Sequence, residues 1–149
     1  MKELLEILNN KKIKIIEIPK WGPYLRKQWE YNFANHISET EKKSIYLFDN
    51  DGVWGYLWHL FSYDKKNNLK EEMADQAFNN EAKSSCFVFY QHSDDALILE
   101  NASNLTAHDL INELDIYVVD KDFNWTYVKT HETGCCGPYF SRSKQNVMY

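Results

Sequence analysis

The pattern of hydrophobic and polar residues from Asp115 to Glu132 predicts a β-hairpin, because two β-branched and aromatic runs flank a short polar turn. The stretch from Asp115 to Val119 is short, β-branched and aromatic, which is the composition of a half-buried strand. Acidic and amide residues at positions 120–124 supply the turn. On the returning strand, one face holds Trp125, Tyr127, Lys129 and His131, and the other holds Thr126, Val128, Thr130 and Glu132. We expect the hairpin Asp115–Glu132 to lie at the centre of a sheet.

Helices are predicted where apolar residues recur every three or four positions. The clearest helix spans Tyr24–Ile37, with a stripe of Leu25, Trp29, Phe33 and Ile37. Shorter helices are expected at residues 2–8, after a capping box formed by Ser38 and Glu41, and after Thr106. A further helix is predicted at residues 69–82. Its inward-facing residues should be Leu69, Met73, Ala77 and Phe78.

The segment Val53–Tyr63 (VWGYLWHLFSY) is rich in aromatic residues and is interpreted as a buried strand. Its length also permits a helix, and periodicity alone does not decide between the two. As a strand it would place Trp54, Tyr56 and Trp58 on one face as an aromatic wall. Gly55 would then mark a bulge or a close approach of another backbone.

Other strands are predicted at residues 12–18, 85–91 and 96–100, and tight turns join the last of them. Because tight turns force antiparallel pairing, the predicted fold class is α+β: an antiparallel sheet of about five strands with helices packed on it. The 149 residues fit a single domain, residues 1–149. Its last part, Thr133–Tyr149, is expected to be an extended tail.

Composition narrows the classes of function. The formal net charge is −5, whereas a general nucleic-acid binder needs a basic excess, so no nucleic-acid partner is expected. No apolar run approaches the roughly 20 residues of a membrane span, and residues 1–10 lack the apolar core of a signal peptide. The three cysteines are an odd number and cannot all pair in disulfides. Together with the lack of a secretion signal, they predict a cytoplasmic protein. Aromatic residues make up 15% of the chain, which favours some of them at a cleft or an interface.

The group with the most reactive side chains is His131, Glu132, Cys135 and Cys136. Nitrogen, oxygen and sulfur ligands could bind zinc, and His131 could activate a thiol nucleophile by lowering its pKa. Two observations weigh against a metal site: adjacent cysteines are expected to point apart, and no second cysteine pair follows. The favoured interpretation is a glycine-rich loop with two incidental thiols, and no cofactor is expected. Cys86 should be a packing residue within a strand.

The aromatic residues Trp54, Trp58, Trp125 and Tyr139 are the candidates for a binding surface. An aromatic wall beside His59 could line a pocket or contact a partner. At this density of apolar residues, however, burial in the core is the favoured interpretation. His59 would then be a core histidine that is hydrogen-bonded to a carbonyl or a carboxylate.

Five short groups of residues carry a resemblance to a known family. They are Leu57–Tyr63, Asp115–Tyr117, Trp125–Tyr127, Thr130–Glu132 and Gly137–Phe140. Together they resemble a family of small Gram-positive bacterial proteins of unknown function, numbered 4275, over about residues 21–140. The resemblance implies one domain and no particular activity. It also implies a shared cluster of His59, Trp125, His131, Glu132 and Tyr139.

The leading hypothesis is a non-enzymatic cytosolic protein that binds another protein through an aromatic-rich, slightly acidic surface, as immunity, inhibitor or regulatory proteins do. The alternative is a small hydrolase or a ligand- or metal-binding protein that uses His59, His131 and Glu132, which requires His59 and His131 to lie close together. A third possibility is self-association through the aromatic residues.

Overall fold

Seven antiparallel strands form one sheet in the computed structural model, which describes residues 1–144. The strands are β1 (Lys14–Glu17), β2 (Leu69–Lys70), β3 (Ser85–Tyr90), β4 (Ala96–Glu100), β5 (Ile116–Asp120), β6 (Trp125–Lys129) and β7 (Tyr139–Arg142). Their order across the sheet is β1-β4-β3-β5-β6-β7-β2. The predicted α+β class is therefore confirmed, with seven strands rather than about five.

Helices cover both faces of this sheet. They are α1 (Lys2–Asn10), α2 (Gly22–Phe33), α3 (Glu39–Ser44), α4 (His59–Ser62), α5 (Glu71–Asn80) and a 3-10 helix (Ala107–Leu110). Apolar residues of α1, α5 and the 3-10 helix form a core on one face, and residues of α2 and α4 form a second core on the other. No helix in residues 1–144 is both long and apolar enough to cross a membrane.

The predicted hairpin is confirmed as β5 and β6, and β5 is the middle strand of the sheet. Val118 pairs with Tyr127 and faces the first core, whereas Tyr117 pairs with Val128 and faces the second. Because both faces are covered, both sets of alternating side chains are apolar. The alternation stops at Lys129, where β6 ends.

The two strands that the sequence pattern missed are β2 and β7, which pair with each other at one edge. β2 has only two residues and lies within the helix predicted at residues 69–82, which begins at Glu71 instead. β7 lies in the segment Thr133–Tyr149 that was expected to be an extended tail. Strands of two and four residues are too short to show a period. Residues 145–149 of that predicted tail lie outside the described part of the chain.

The predicted strand at Val53–Tyr63 is wrong. The segment begins with a turn closed by the Asn50–Val53 bridge, continues as a loop and ends in the short helix α4. No aromatic wall forms, because Trp54 is 64% exposed and Trp58 only 2%. A Cβ atom on Gly55 would lie 2.1 Å from the backbone carbon of Phe48, so the expected close approach of another backbone is present.

The helix predicted at Tyr24–Ile37 is present as α2, which begins at Gly22 and ends at Phe33, so Ile37 lies beyond it. α2 buries Leu25, Trp29 and Phe33, and Trp29 donates from Nε1 to Thr126 Oγ1 of β6 at 2.9 Å. The capping box of Ser38 and Glu41 begins α3 as predicted. In α5 the prediction is wrong for Met73, which is exposed; Ala74 and Phe78 are the buried residues of that helix.

Candidate functional site

Asp115 connects the loop before α4 to the two ends of the central hairpin. Its Oδ1 accepts a hydrogen bond from the indole Nε1 of Trp58 at 2.9 Å. The same oxygen accepts from the backbone N–H of His131 at 3.2 Å, and Nδ1 of His131 lies 3.0 Å from both carboxylate oxygens. This carboxylate therefore holds Trp58 and His131 side by side.

Tyr56 lies at the centre of a cluster of rings on the same side of the sheet. Its ring centroid is 5.1 Å from the centroids of both His92 and His131, and 5.4 Å from that of His59. Trp58 contacts Tyr56, His59 and His131 from the buried side. The structure thus brings three histidines from three separate segments around one tyrosine.

Exposed aromatic side chains surround this cluster. Trp54 packs on His92 with 4.5 Å between ring centroids, and Tyr63 packs on His59 at 5.5 Å. The backbone carbonyl of Tyr46 lies 2.9 Å from Nδ1 of His59. We call this surface the aromatic–histidine face. It comprises Tyr46, Trp54, Tyr56, His59, Tyr63, His92 and His131.

A buried hydrogen-bond network fixes the loop that carries the face. The backbone N–H of Leu57 donates to Oε1 of Gln91 at 2.9 Å, and that of Trp58 donates to the Tyr117 hydroxyl at 3.1 Å. The Tyr117 hydroxyl in turn donates to Gln91 Oε1. Complete burial raises the pKa of the Tyr117 phenol, so this hydroxyl stays a neutral donor. The loop is therefore anchored to β3 and β5 before the chain enters α4.

Carboxylates border the face. Asp49 Oδ1 lies 3.6 Å from Nε2 of His92, and Glu132 Oε1 lies 3.5 Å from Nε2 of His131. Burial raises the pKa of the Tyr56 phenol, and the negative charges of Asp115, Asp49 and Glu132 raise it further. The electrostatic environment at the centre of the face is therefore negative.

An open groove of 680 Å³ adjoins the face at Asp49 and His92. Phe48 and Leu57 contribute to its apolar lining, and α2 contributes charged side chains that include Arg26. The face thus continues into a concave surface large enough to accept side chains of another molecule.

The loop that follows β6 places two thiols beside the face. Sγ of Cys135 lies 2.8 Å from Sγ of Cys136, so the expectation that adjacent cysteines point apart is wrong here. A carboxylate oxygen of Glu132 and the two sulfurs all lie within 4.8 Å of one another. Burial raises the pKa of the Cys136 thiol to about 12, with contributions from Cys135 and Glu132. A neutral thiol at position 136 argues against a resting thiolate nucleophile there.

A family model described as a domain of unknown function (DUF4275) matches residues 2–140. The chain belongs to the DUF4275 family. The match includes every residue of the aromatic–histidine face and both tail cysteines, and the family description names no activity. No curated protein and no solved structure matches the chain.

For this DUF4275 chain, the structure separates the candidates that the sequence had grouped. His59 and His131 lie on the same side of the sheet, since both contact Tyr56 and Trp58. Trp125 does not join that cluster. It is buried in the core on the opposite face, between Phe78 and Phe140. The cause is the end of β6 at Lys129, beyond which the alternation no longer determines the direction of side chains.

Most of the candidate binding aromatics are core residues. Trp58 and Tyr139 are buried in the second core, and only Trp54 is exposed. His59 is half-buried at the surface, with Nδ1 beside a carbonyl as expected of a satisfied histidine. Cys86 is buried in β3, in agreement with a packing role.

The sequence pattern did not single out Tyr56, His92 or Asp115 as members of this site. Pairing of Tyr90 with Ile116 and of Ile116 with Lys129 brings the ends of the three central strands β3, β5 and β6 together at one end of the sheet. His92, Asp115 and His131 each lie one or two residues beyond those pairs. The contact between Asp115 and His131 could therefore have been predicted from the register of the hairpin. The position of Tyr56 could not, because Tyr56 lies in a loop without hydrophobic periodicity.

Proposed function

We propose that this protein is a cytoplasmic, bacterial, non-enzymatic protein-binding module whose aromatic–histidine face recognises a basic segment of another protein. The observation that carries the proposal is the pair of exposed aromatic side chains, Trp54 and Tyr63, that pack on an ordered centre formed by Tyr56, three histidines and Asp115. Such a module could serve as an immunity-like, inhibitory or regulatory protein.

The composition of the face supports a protein partner. Tryptophan and tyrosine are enriched at the centres of protein interfaces, where they supply much of the binding energy. Trp54 is 64% exposed although its ring already packs on His92, so its outer surface is available for contact. Because Asp115 and the Tyr117 network hold the inner rings, little conformational entropy would be lost on binding.

The charges of the face support a basic partner segment. Asp49 and Glu132 border the face beside His92 and His131. Lysine or arginine side chains of a partner would be attracted electrostatically to these carboxylates and could make cation–π contacts with Trp54 or Tyr63. Repulsion by the same carboxylates would exclude acidic partners.

Affinity capture from the native cytosol, with and without a crosslinker, tests this proposal. The wild-type protein should capture a specific protein that Trp54→Ala fails to capture. Met73→Ala is the matched control because Met73 is 62% exposed, close to the value for Trp54, but lies on α5 across the sheet. Capture should also weaken with rising salt, since exposed charges contribute to it. Equal capture by Trp54→Ala, or no specific capture by the wild type, would count against the proposal.

A second candidate function is a small hydrolase or ligand-binding protein that uses His59, His131 and Glu132. The observation in its favour is the position of Nδ1 of His131 beside Asp115, which leaves Nε2 as the nitrogen that can accept a proton. A panel of ester and amide substrates tests this function. An activity lost in His131→Asn and kept in His36→Asn, a histidine outside the face, would support it. The same weak activity in both variants would reject it.

A further inference from the structure

The turn between Thr130 and Gly137 holds the two thiols over a carboxylate. The backbone N–H groups of Cys135 and Cys136 both donate to the carbonyl of Glu132, at 3.0 and 2.7 Å. The Thr130 hydroxyl accepts from the backbone N–H of Glu132 at 3.2 Å and donates to the carbonyl of Cys136. These bonds fold residues 132–136 into a compact turn whose two sulfurs lie 2.8 Å apart.

Glycine is required on both sides of the cysteine pair. Gly134 has φ of 98° and Gly137 has φ of 91°, values that other residues rarely adopt. At Gly137 a Cβ atom would also lie 3.1 Å from the ring of Tyr139 and 3.2 Å from Thr130 Cγ2. The local sequence therefore permits a turn that most sequences would not form, and this turn is what brings the thiols to Glu132.

His131 lies beside this group, and its contact is with Glu132, since the ligand atoms that all lie within 4.8 Å of one another belong to Glu132, Cys135 and Cys136. Its Nδ1 lies beside the Asp115 carboxylate, and its Nε2 lies 3.5 Å from Oε1 of Glu132. A metal-binding histidine usually has a carboxylate on one nitrogen and presents the other nitrogen to the ion. For His131 that other nitrogen is Nε2, which a small movement would turn from Glu132 Oε1 towards an ion held by Glu132.

We propose that Glu132, Cys135 and Cys136, completed by His131, form a binding site for a thiophilic divalent cation, with Zn²⁺ as the ordinary cellular ligand. Two sulfurs, one carboxylate oxygen and one imidazole nitrogen make up a donor set that zinc accepts. With Zn–S bonds of about 2.3 Å, tetrahedral geometry places two sulfurs about 3.8 Å apart, so the thiols must separate by roughly 1 Å. Cys135 is exposed and can make this adjustment by rotating its side chain. Both thiols lose their protons when the ion binds.

Metal titration of the full-length protein, reduced with a non-chelating phosphine, tests this site. Zn²⁺ should bind at one equivalent per chain with release of protons, and Co²⁺ should give a thiolate-to-cobalt charge-transfer band. Cys135→Ser should weaken Zn²⁺ binding and reduce the band to half or less, because only one thiolate remains, and Glu132→Gln should weaken Zn²⁺ binding by at least about tenfold. Cys86→Ala is the matched control: it removes the third thiol, which lies in the core, and should leave the titration unchanged.

Absence of the charge-transfer band, or equal Zn²⁺ binding by the wild type and Cys135→Ser, would overturn the proposal. Cys135→Ser should fold, because the side chain is exposed and packs in neither core. The test is independent of the proposed protein partner. Trp54→Ala should bind Zn²⁺ like the wild type even though it is expected to lose the partner.

Discussion

Replacement of Asp115 by alanine should destabilise the protein more than its position at the end of a strand would suggest. The substitution removes the acceptor of the Trp58 indole N–H, and Trp58 is almost completely buried. A buried donor left without a partner costs about 1–3 kcal/mol. Asp115 also has a φ of 51°, and alanine in that left-handed region adds roughly 1–2 kcal/mol. Together these effects predict a loss of about 2–5 kcal/mol.

Asp115→Asn is the matched control for this loss. Its amide oxygen can still accept from Trp58, and asparagine tolerates positive φ. The variant should therefore lie within about 1.5 kcal/mol of the wild type. Urea unfolding followed by circular dichroism and tryptophan fluorescence measures both variants. For a chain of this size, the alanine variant should unfold roughly 5–15 °C lower in a thermal scan. A loss below about 0.5 kcal/mol for Asp115→Ala, or equal losses for both variants, would refute the reasoning.

Three further predictions concern the two cores. Thr126→Val should lower the free energy of unfolding by about 1–3 kcal/mol in urea titrations, because the Trp29 indole N–H loses its buried acceptor. Thr126→Ser keeps a hydroxyl acceptor and should therefore keep most of the wild-type stability. Phe78→Ala should cost about 3–5 kcal/mol through the cavity it leaves, whereas Met73→Ala should change stability by at most about 0.5 kcal/mol. Burial raises the pKa of the Cys86 thiol from 9.0 to about 12. The folded state therefore favours the neutral thiol, and the stabilisation that follows is fully present below pH 9 and is lost as the pH rises towards 12. In urea titrations across that range, the free energy of unfolding of Cys86→Ala should fall less steeply with pH than that of the wild type.

The parts of the fold that sequence could predict are those in which local pattern and tertiary environment agree. The hairpin of β5 and β6 is rich in β-branched and aromatic residues because both of its faces pack in cores, and its register follows from a short turn. The capping box of Ser38 and Glu41 depends only on residues three positions apart. Such local features require no knowledge of distant parts of the chain.

The parts that sequence could not predict depend on contacts between distant segments. Val53–Tyr63 has the composition of a strand, but its backbone bonds to Tyr46, Gln91 and Tyr117 keep it as a loop and a short helix. β7 exists because β6 and β2 flank it on the two sides. Neither the loop at Val53–Tyr63 nor the strand β7 produces a periodic pattern of hydrophobic residues in the sequence.

The candidate site was predicted in pieces. His59, His131 and Glu132 were identified by residue type, but the ring that joins the two histidines, Tyr56, had no distinguishing pattern. The reversal of side-chain direction after Lys129 moved His131 away from Trp125 and towards Trp58. The end of a strand is among the features that sequence determines least well.

Site-specific photo-crosslinking in the native host tests the aromatic–histidine face most directly. A benzophenone amino acid in place of Tyr63 resembles tyrosine in shape and lies at the rim of the face, in contact with His59. We expect one predominant protein adduct from this position, which is lost when Trp54→Ala is added and kept when Met73→Ala is added. No adduct from position 63, or an adduct unaffected by Trp54→Ala, would contradict the claim that this face binds a protein partner.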